Sequence, residues 1–106
     1  MHVTNMNSPH TGKPVANQFI ITDGDTTVFQ SYDSTIATID REARTITLGG
    51  DWNRSVTTAK YRNLFFKGED FNDLASKEGI LSALESGTVE NNWGTVYTVA
   101  MWWDNI

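Results

Sequence analysis

The stretch DWNRSVTTAKYRNLFFK, residues 51–67, is where a turn, a helix start, several aromatic residues and most of the positive charge meet. Gly49-Gly50 ends the segment before it, because glycine alone takes positive φ freely. Ser55, Thr57 and Thr58 offer side-chain oxygens that can cap a helix. Tyr61, Leu64 and Phe65 then recur at helical spacing and would share one face. Lys60 and Arg62 fall on the remaining face, with Arg54 and Lys67 at the two ends. This spacing predicts a helix that covers a sheet built by the preceding chain.

The preceding residues carry strand signals. Residues 16–22 (ANQFIIT) form a first predicted strand, and Asp23-Gly24-Asp25 is a hairpin turn. Residues 26–32 (TTVFQSY) return, placing Val28, Gln30 and Tyr32 on one face and Phe29 on the other. Residues 35–40 and 45–48 supply two more strands around the charged turn Arg41-Glu42-Ala43-Arg44, with Ile46 and Leu48 together. β-Branched and aromatic residues suit a half-buried pleated surface. Residues 1–15 are polar and hold both His2 and His10; they read as a flexible or loosely docked arm.

Following residue 67, Gly68-Glu69-Asp70 stops the helix, and Asp70 would cap a short turn through Ala75. Ser76 restarts a helix whose Ile80, Leu81 and Leu84 line one side, and Gly87 stands at its left-handed C-terminus. Gly79 weakens that helix. Residues 88–94 read as a polar loop and residues 95–103 as a final strand. In that strand Val96, Thr98, Ala100 and Trp102 oppose Tyr97, Val99, Met101 and Trp103, so one of the two terminal tryptophans would meet solvent or a partner. The expected fold is α+β: an antiparallel sheet of about five strands with two or three short helices on one face. Residues 1–15 form the arm and residues 16–106 a single domain.

A chain of 106 residues without cysteine lacks disulfides, thiolate nucleophiles and cysteine metal sites. No apolar run approaches the roughly 18 residues of a membrane span, and the N-terminus lacks a signal-peptide pattern. These features fit a cytosolic protein without cofactor. The net charge of −5 is unevenly spread. Residues 41–67 carry six Lys or Arg against two acids, whereas residues 68–106 carry one Lys against seven acids. Such asymmetry bears on partners and steering. No serine or threonine of the helix start has a histidine in the folded part of the chain, and no metal or phosphate motif is complete. No catalytic or metal-binding residue is therefore assigned.

Two binding readings remain. Glu69, Asp70, Asp73, Glu78, Glu85 and Glu90 could face a partner protein with a basic surface, with Trp93 and Trp103 as anchors. Alternatively, Arg54, Lys60, Arg62 and Lys67 interleave with Trp52 and Tyr61 and could hold nucleic acid through phosphates and stacking. The chain's overall acidity favours the first.

NQFIIT at 17–22, FQSYDSTIATI at 29–39 and DWNRSVTTAKYRNLFF at 51–66 together resemble a small domain family of bacteriophages and mobile elements. The resemblance spans about half the chain and carries no functional residue across. It implies action in the cytoplasm of a bacterial host. By analogy with other small phage proteins, it points to a non-enzymatic inhibitor of a host nucleic-acid-handling defence complex, of CRISPR or restriction type.

Overall fold

The computed structural model describes residues 1–105. Seven strands form one sheet: β1 (His2–Asn7), β2 (Pro14–Asp23), β3 (Thr26–Ser31), β4 (Ser34–Asp40), β5 (Thr45–Leu48), β6 (Thr88–Glu90) and β7 (Val96–Met101). Helices α1 (Val56–Gly68) and α2 (Lys77–Ser86) lie between β5 and β6 in the chain, and single 3₁₀ turns occupy Asn72–Leu74 and Trp102–Asn105. The strand order is β1-β2-β3-β4-β5-β7-β6. The first five strands form an antiparallel meander, and β6 pairs antiparallel with β7. β7 runs parallel to β5. A parallel neighbour requires a crossover, and the helical segment supplies it.

The register sorts side chains onto two faces. Ile20, Phe29, Ala37, Leu48 and Met101 face one another across five strands. Thr27, Ile39, Ile46 and Val99 form the next row on that face. The helices pack here. An aromatic chain crosses the two layers: Phe29 stacks on Phe65 at 5.6 Å, Phe65 meets Phe66 at 5.3 Å, Phe66 meets Phe71 at 6.5 Å, and Phe71 meets Tyr97 at 4.9 Å. Offset and edge-on aromatic pairs of this kind add to simple area burial. Ile21, Val28, Thr38, Thr47 and Ala100 form the row on the opposite face and are only half-buried.

Local signals set the helix ends. Ser55 is extended at φ −146° and its hydroxyl oxygen accepts the Thr58 N–H at 3.1 Å. Thr58 is itself buried, 3.1 Å from the Ser31 hydroxyl, so the α1 cap is tied to the sheet. Ser76 caps α2 through the Gly79 N–H at 3.0 Å. Gly87 ends α2 at φ 82°, donating to the Ala83 carbonyl at 2.7 Å. Gly79 has a packing reason: a Cβ there would stand 2.0 Å from the Asp73 carbonyl oxygen.

The expected α+β class with a mostly antiparallel sheet under short helices holds, and several details differ. The sheet has seven strands where about five were expected, and β7 runs parallel to β5. Within the expected arm, His2–Asn7 is an edge strand on β2, secured by backbone pairing and by Asn5 Nδ2 donating to the Val15 carbonyl at 2.9 Å. Only Met6 of that strand is buried, so no apolar alternation announces it. Within the expected 88–94 loop, Thr88–Glu90 pairs with β7 as the opposite edge. Asp70 caps nothing. It takes a left-handed φ of 68°, and Phe71 occupies the cap position without a side-chain bond. Leu81 is exposed, because Ile80, Ala83 and Leu84 already fill the inward stripe of α2. The last strand stops at Met101, and both Trp102 and Trp103 leave it in the 3₁₀ turn.

Candidate functional site

The loop between β6 and β7 is short, polar and heavily bonded. Asn91 organises it. Its side-chain oxygen accepts the Trp93 N–H at 3.0 Å and the Thr95 N–H at 2.9 Å. Its backbone N–H donates to the Thr95 carbonyl at 2.9 Å, and its carbonyl accepts the Gly94 N–H at 3.1 Å. Gly94 supplies the φ of 82° that closes the turn. Asn92 then fastens the loop to the helical layer. Its N–H donates to the Asp70 carbonyl at 2.8 Å, and its side-chain oxygen accepts the Asn72 N–H at 3.1 Å. Trp93 projects from this bonded frame with 78% of its surface exposed. Because the backbone of the turn is already ordered, binding through this indole costs little backbone freedom, which suits an interface anchor.

Acidic groups surround the loop. Asp70 lies in the segment that Asn92 holds, and Glu90 ends the strand that enters the loop. Asp73 and Glu90 line a groove of about 370 Å³ between α2 and β6, with Ser82 and Ser86. Glu78 and Glu85 are exposed seven residues apart on the outer stripe of α2. The structure thus places Asp73 and Glu90 in one groove and ties the segment holding Asp70 to the loop that carries Trp93, while Glu78 and Glu85 lie on the helix that borders the groove. Two expected members are not part of this group. Glu69 is half-buried and ion-paired to Arg41 at 2.8 Å, and Arg41 also donates to the Thr27 hydroxyl at 2.8 Å. Trp103 packs edge-on against Trp102 at the other end of β7, with 50% of its surface exposed.

Burial divides the basic set. Arg62 is 1% exposed. Its guanidinium donates to the Trp52 carbonyl at 2.9 Å, to Asn53 Oδ1 at 3.3 Å and to Asn63 Oδ1 at 2.9 Å, and it lies 5.3 Å from the Trp52 ring. Burial lowers its pKa from the usual arginine value, and the negative charge of Glu78 acts in the opposite sense. Tyr61 is buried in the core, and Trp52 is half-buried beneath Arg62. Arg54 is exposed but pairs with Asp51 at 3.4 Å. Lys60 is exposed beside the ring of Tyr61 at 5.5 Å, and Lys67 stands at the negative end of α1. The six residues do not form one exposed basic face.

The sequence reading missed the framework residues Asn91 and Asn92. Their signal was present as Asn-Asn-Trp-Gly, since Asn side chains bond backbone two residues ahead and Gly closes the turn. It also missed a second groove, of about 510 Å³, at the opposite end of the sheet, bounded by Ser34, Thr38, Thr47, Gly50, Asp51 and Trp102. Nothing local joins those positions in the sequence. Among the described residues, no group of three or more His, Asp or Glu side chains is placed to hold a metal ion.

Residues 1–82 match a family of unknown function, DUF8033, and the chain belongs to that family. The matched segment runs from β1 into α2, so Glu90, Trp93 and Trp102 lie beyond it. No curated protein and no solved structure matches the chain. Among the described residues, no helix is long and apolar enough to cross a membrane.

Proposed function

We propose that this domain is a non-enzymatic protein-binding module that engages a basic partner through Trp93 and the acids around it. The observation that carries this reading is Trp93 held almost bare on a loop tied down by Asn91 and Asn92. Asp70, Asp73 and Glu90 supply the rim, and Glu78 and Glu85 extend the negative field along α2. Electrostatics of this kind governs encounter rate and salt dependence, while the aromatic anchor governs residence time. The partner we propose is a host protein whose basic surface normally holds nucleic acid, as in bacterial defence complexes, which the protein would inhibit in the bacterial cytoplasm. Likeness to phage-borne domains in residues 17–66 supports that choice. Direct nucleic-acid binding is the weaker reading, because Arg62 and Tyr61 serve the core.

Affinity capture tests the proposal. The protein is used as bait for bacterial lysate in low salt, beside a variant carrying Asp70→Asn, Asp73→Lys and Glu90→Lys. Asparagine at position 70 tolerates the left-handed backbone there. The expected result is a basic protein retained by the native bait and released as salt rises, with affinity reduced about tenfold or more in the variant. Equal retention by both baits refutes the acidic rim.

A further inference from the structure

We propose that the groove beside Trp102 binds a neutral sugar ring. This site lies at the opposite end of the sheet from Trp93 and does not depend on the reading above. The floor is the cross-strand pair Thr38 and Thr47, on the sheet face that the helices leave uncovered. Trp102, 51% exposed, bounds one side, and the Gly50-Asp51 turn bounds another. Trp103 braces Trp102 edge-on, with ring centroids 6.1 Å apart. The groove volume of about 510 Å³ is that of a small-molecule site.

The chemistry selects the ligand. A pyranose presents a face of C–H groups, which suits an indole, and a rim of hydroxyls, which need donors and acceptors at fixed places. The Asp51 carboxylate lines the groove and is held through one of its oxygens. Ser34 Oγ donates to its Oδ2 at 2.8 Å, and Arg54 approaches the same oxygen at 3.4 Å. Oδ1 accepts no hydrogen bond from the described residues and can accept one from a ligand hydroxyl, a charge-assisted bond. Arg54 offsets the charge of Asp51, the one ionised side chain in the lining, so the groove favours neither an anion nor a cation. Small hydroxyl side chains on the floor leave room for a ring to lie flat.

The test is an amide-shift NMR titration of the full chain with glucose, galactose, mannose, N-acetylglucosamine and their β-1,4- and α-1,4-linked oligomers. Tetramethylammonium is the cationic control. At least one sugar is expected to shift the amides of Thr38, Thr47, Gly50 and Asp51 saturably. Trp102→Ala should weaken that sugar at least tenfold and Thr38→Val about threefold, while Trp93→Ala leaves it unchanged. Trp102 is a half-exposed residue in a terminal turn, and an unchanged spectrum elsewhere verifies that its variant folds. The proposal fails if no sugar shifts those amides, if Trp102→Ala binds as tightly as the native chain, or if tetramethylammonium alone shifts them.

Discussion

Arg62 keeps its charge inside the domain, where it closes the turn before α1 by bonding the Trp52 carbonyl and the Asn53 side chain. Removing it leaves that carbonyl without its partner. Arg62→Ala should lower the unfolding free energy by about 2–3 kcal/mol in urea titration, in keeping with loss of a charged hydrogen-bond donor. Arg62→Lys should restore less than half, because an ammonium cannot reproduce the planar fork. Its lowered pKa means that burial opposes the charged form, so the penalty would be relieved only as pH rises through a strongly alkaline range. No stability change across neutral pH is expected from this residue. Helical spacing assigned Arg62 to the outer face of α1, since apolar periodicity cannot register a carbonyl and an asparagine waiting in the preceding turn. Gly79 sets two effects against each other. Helix propensity alone gives Gly79→Ala a gain of up to about 1 kcal/mol. The Asp73 carbonyl, 2.0 Å from the added Cβ, gives a loss. Backbone cannot yield as a flexible side chain does, so we expect a net loss of about 1–3 kcal/mol and a lower calorimetric midpoint.

Elements were legible where their signals are local. Asp-Gly marked the β2–β3 turn, the Ser55, Thr57 and Thr58 hydroxyls marked the start of α1, where Ser55 is the cap, Ser76 marked the start of α2, and Gly87 marked its end. Ser55→Ala and Ser76→Ala should each cost about 1 kcal/mol in urea midpoint measurements, the ordinary value of an N-cap. Ser55→Ala should be the larger loss, because Ser55 Oγ also donates to the buried Thr58 hydroxyl at 3.1 Å. The two edge strands escaped the reading for one physical reason. β1 and β6 are held mainly by backbone bonds to a neighbour, and their side chains are mostly exposed. Neither composition nor periodicity records such pairing. Deleting residues 1–8 therefore tests the strand against the arm. We expect a lower urea midpoint and a more aggregation-prone β2 edge; an unchanged midpoint would mean that β1 contributes nothing to the fold.

At the scale of the molecule, the sheet has one face under helices and one half-open face, and the two proposed sites lie at its two ends. The parallel docking of β7 beside β5 creates both ends, since it carries the Trp93 loop to one and Trp102 to the other. Residues about 50 positions apart in the chain thereby become neighbours, which local reading could not foresee. What was legible of the candidate site was its residue types: Trp93, Asp70, Asp73 and Glu90 stood out as an aromatic among acids. What was hidden was the exclusion of Glu69, claimed by Arg41, and the framework that holds the backbone at Trp93. Trp93→Ala should leave the unfolding free energy within about 0.5 kcal/mol of the native value, as an exposed side chain without buried contacts should. The most direct test is hydrogen exchange on the captured complex, compared with the free protein. Slowed exchange confined to residues 70–73 and 88–96, and abolished with capture itself by Trp93→Ala, is the expected outcome. Protection along residues 54–67, with the 88–96 amides unchanged, would place recognition on α1 and contradict the account.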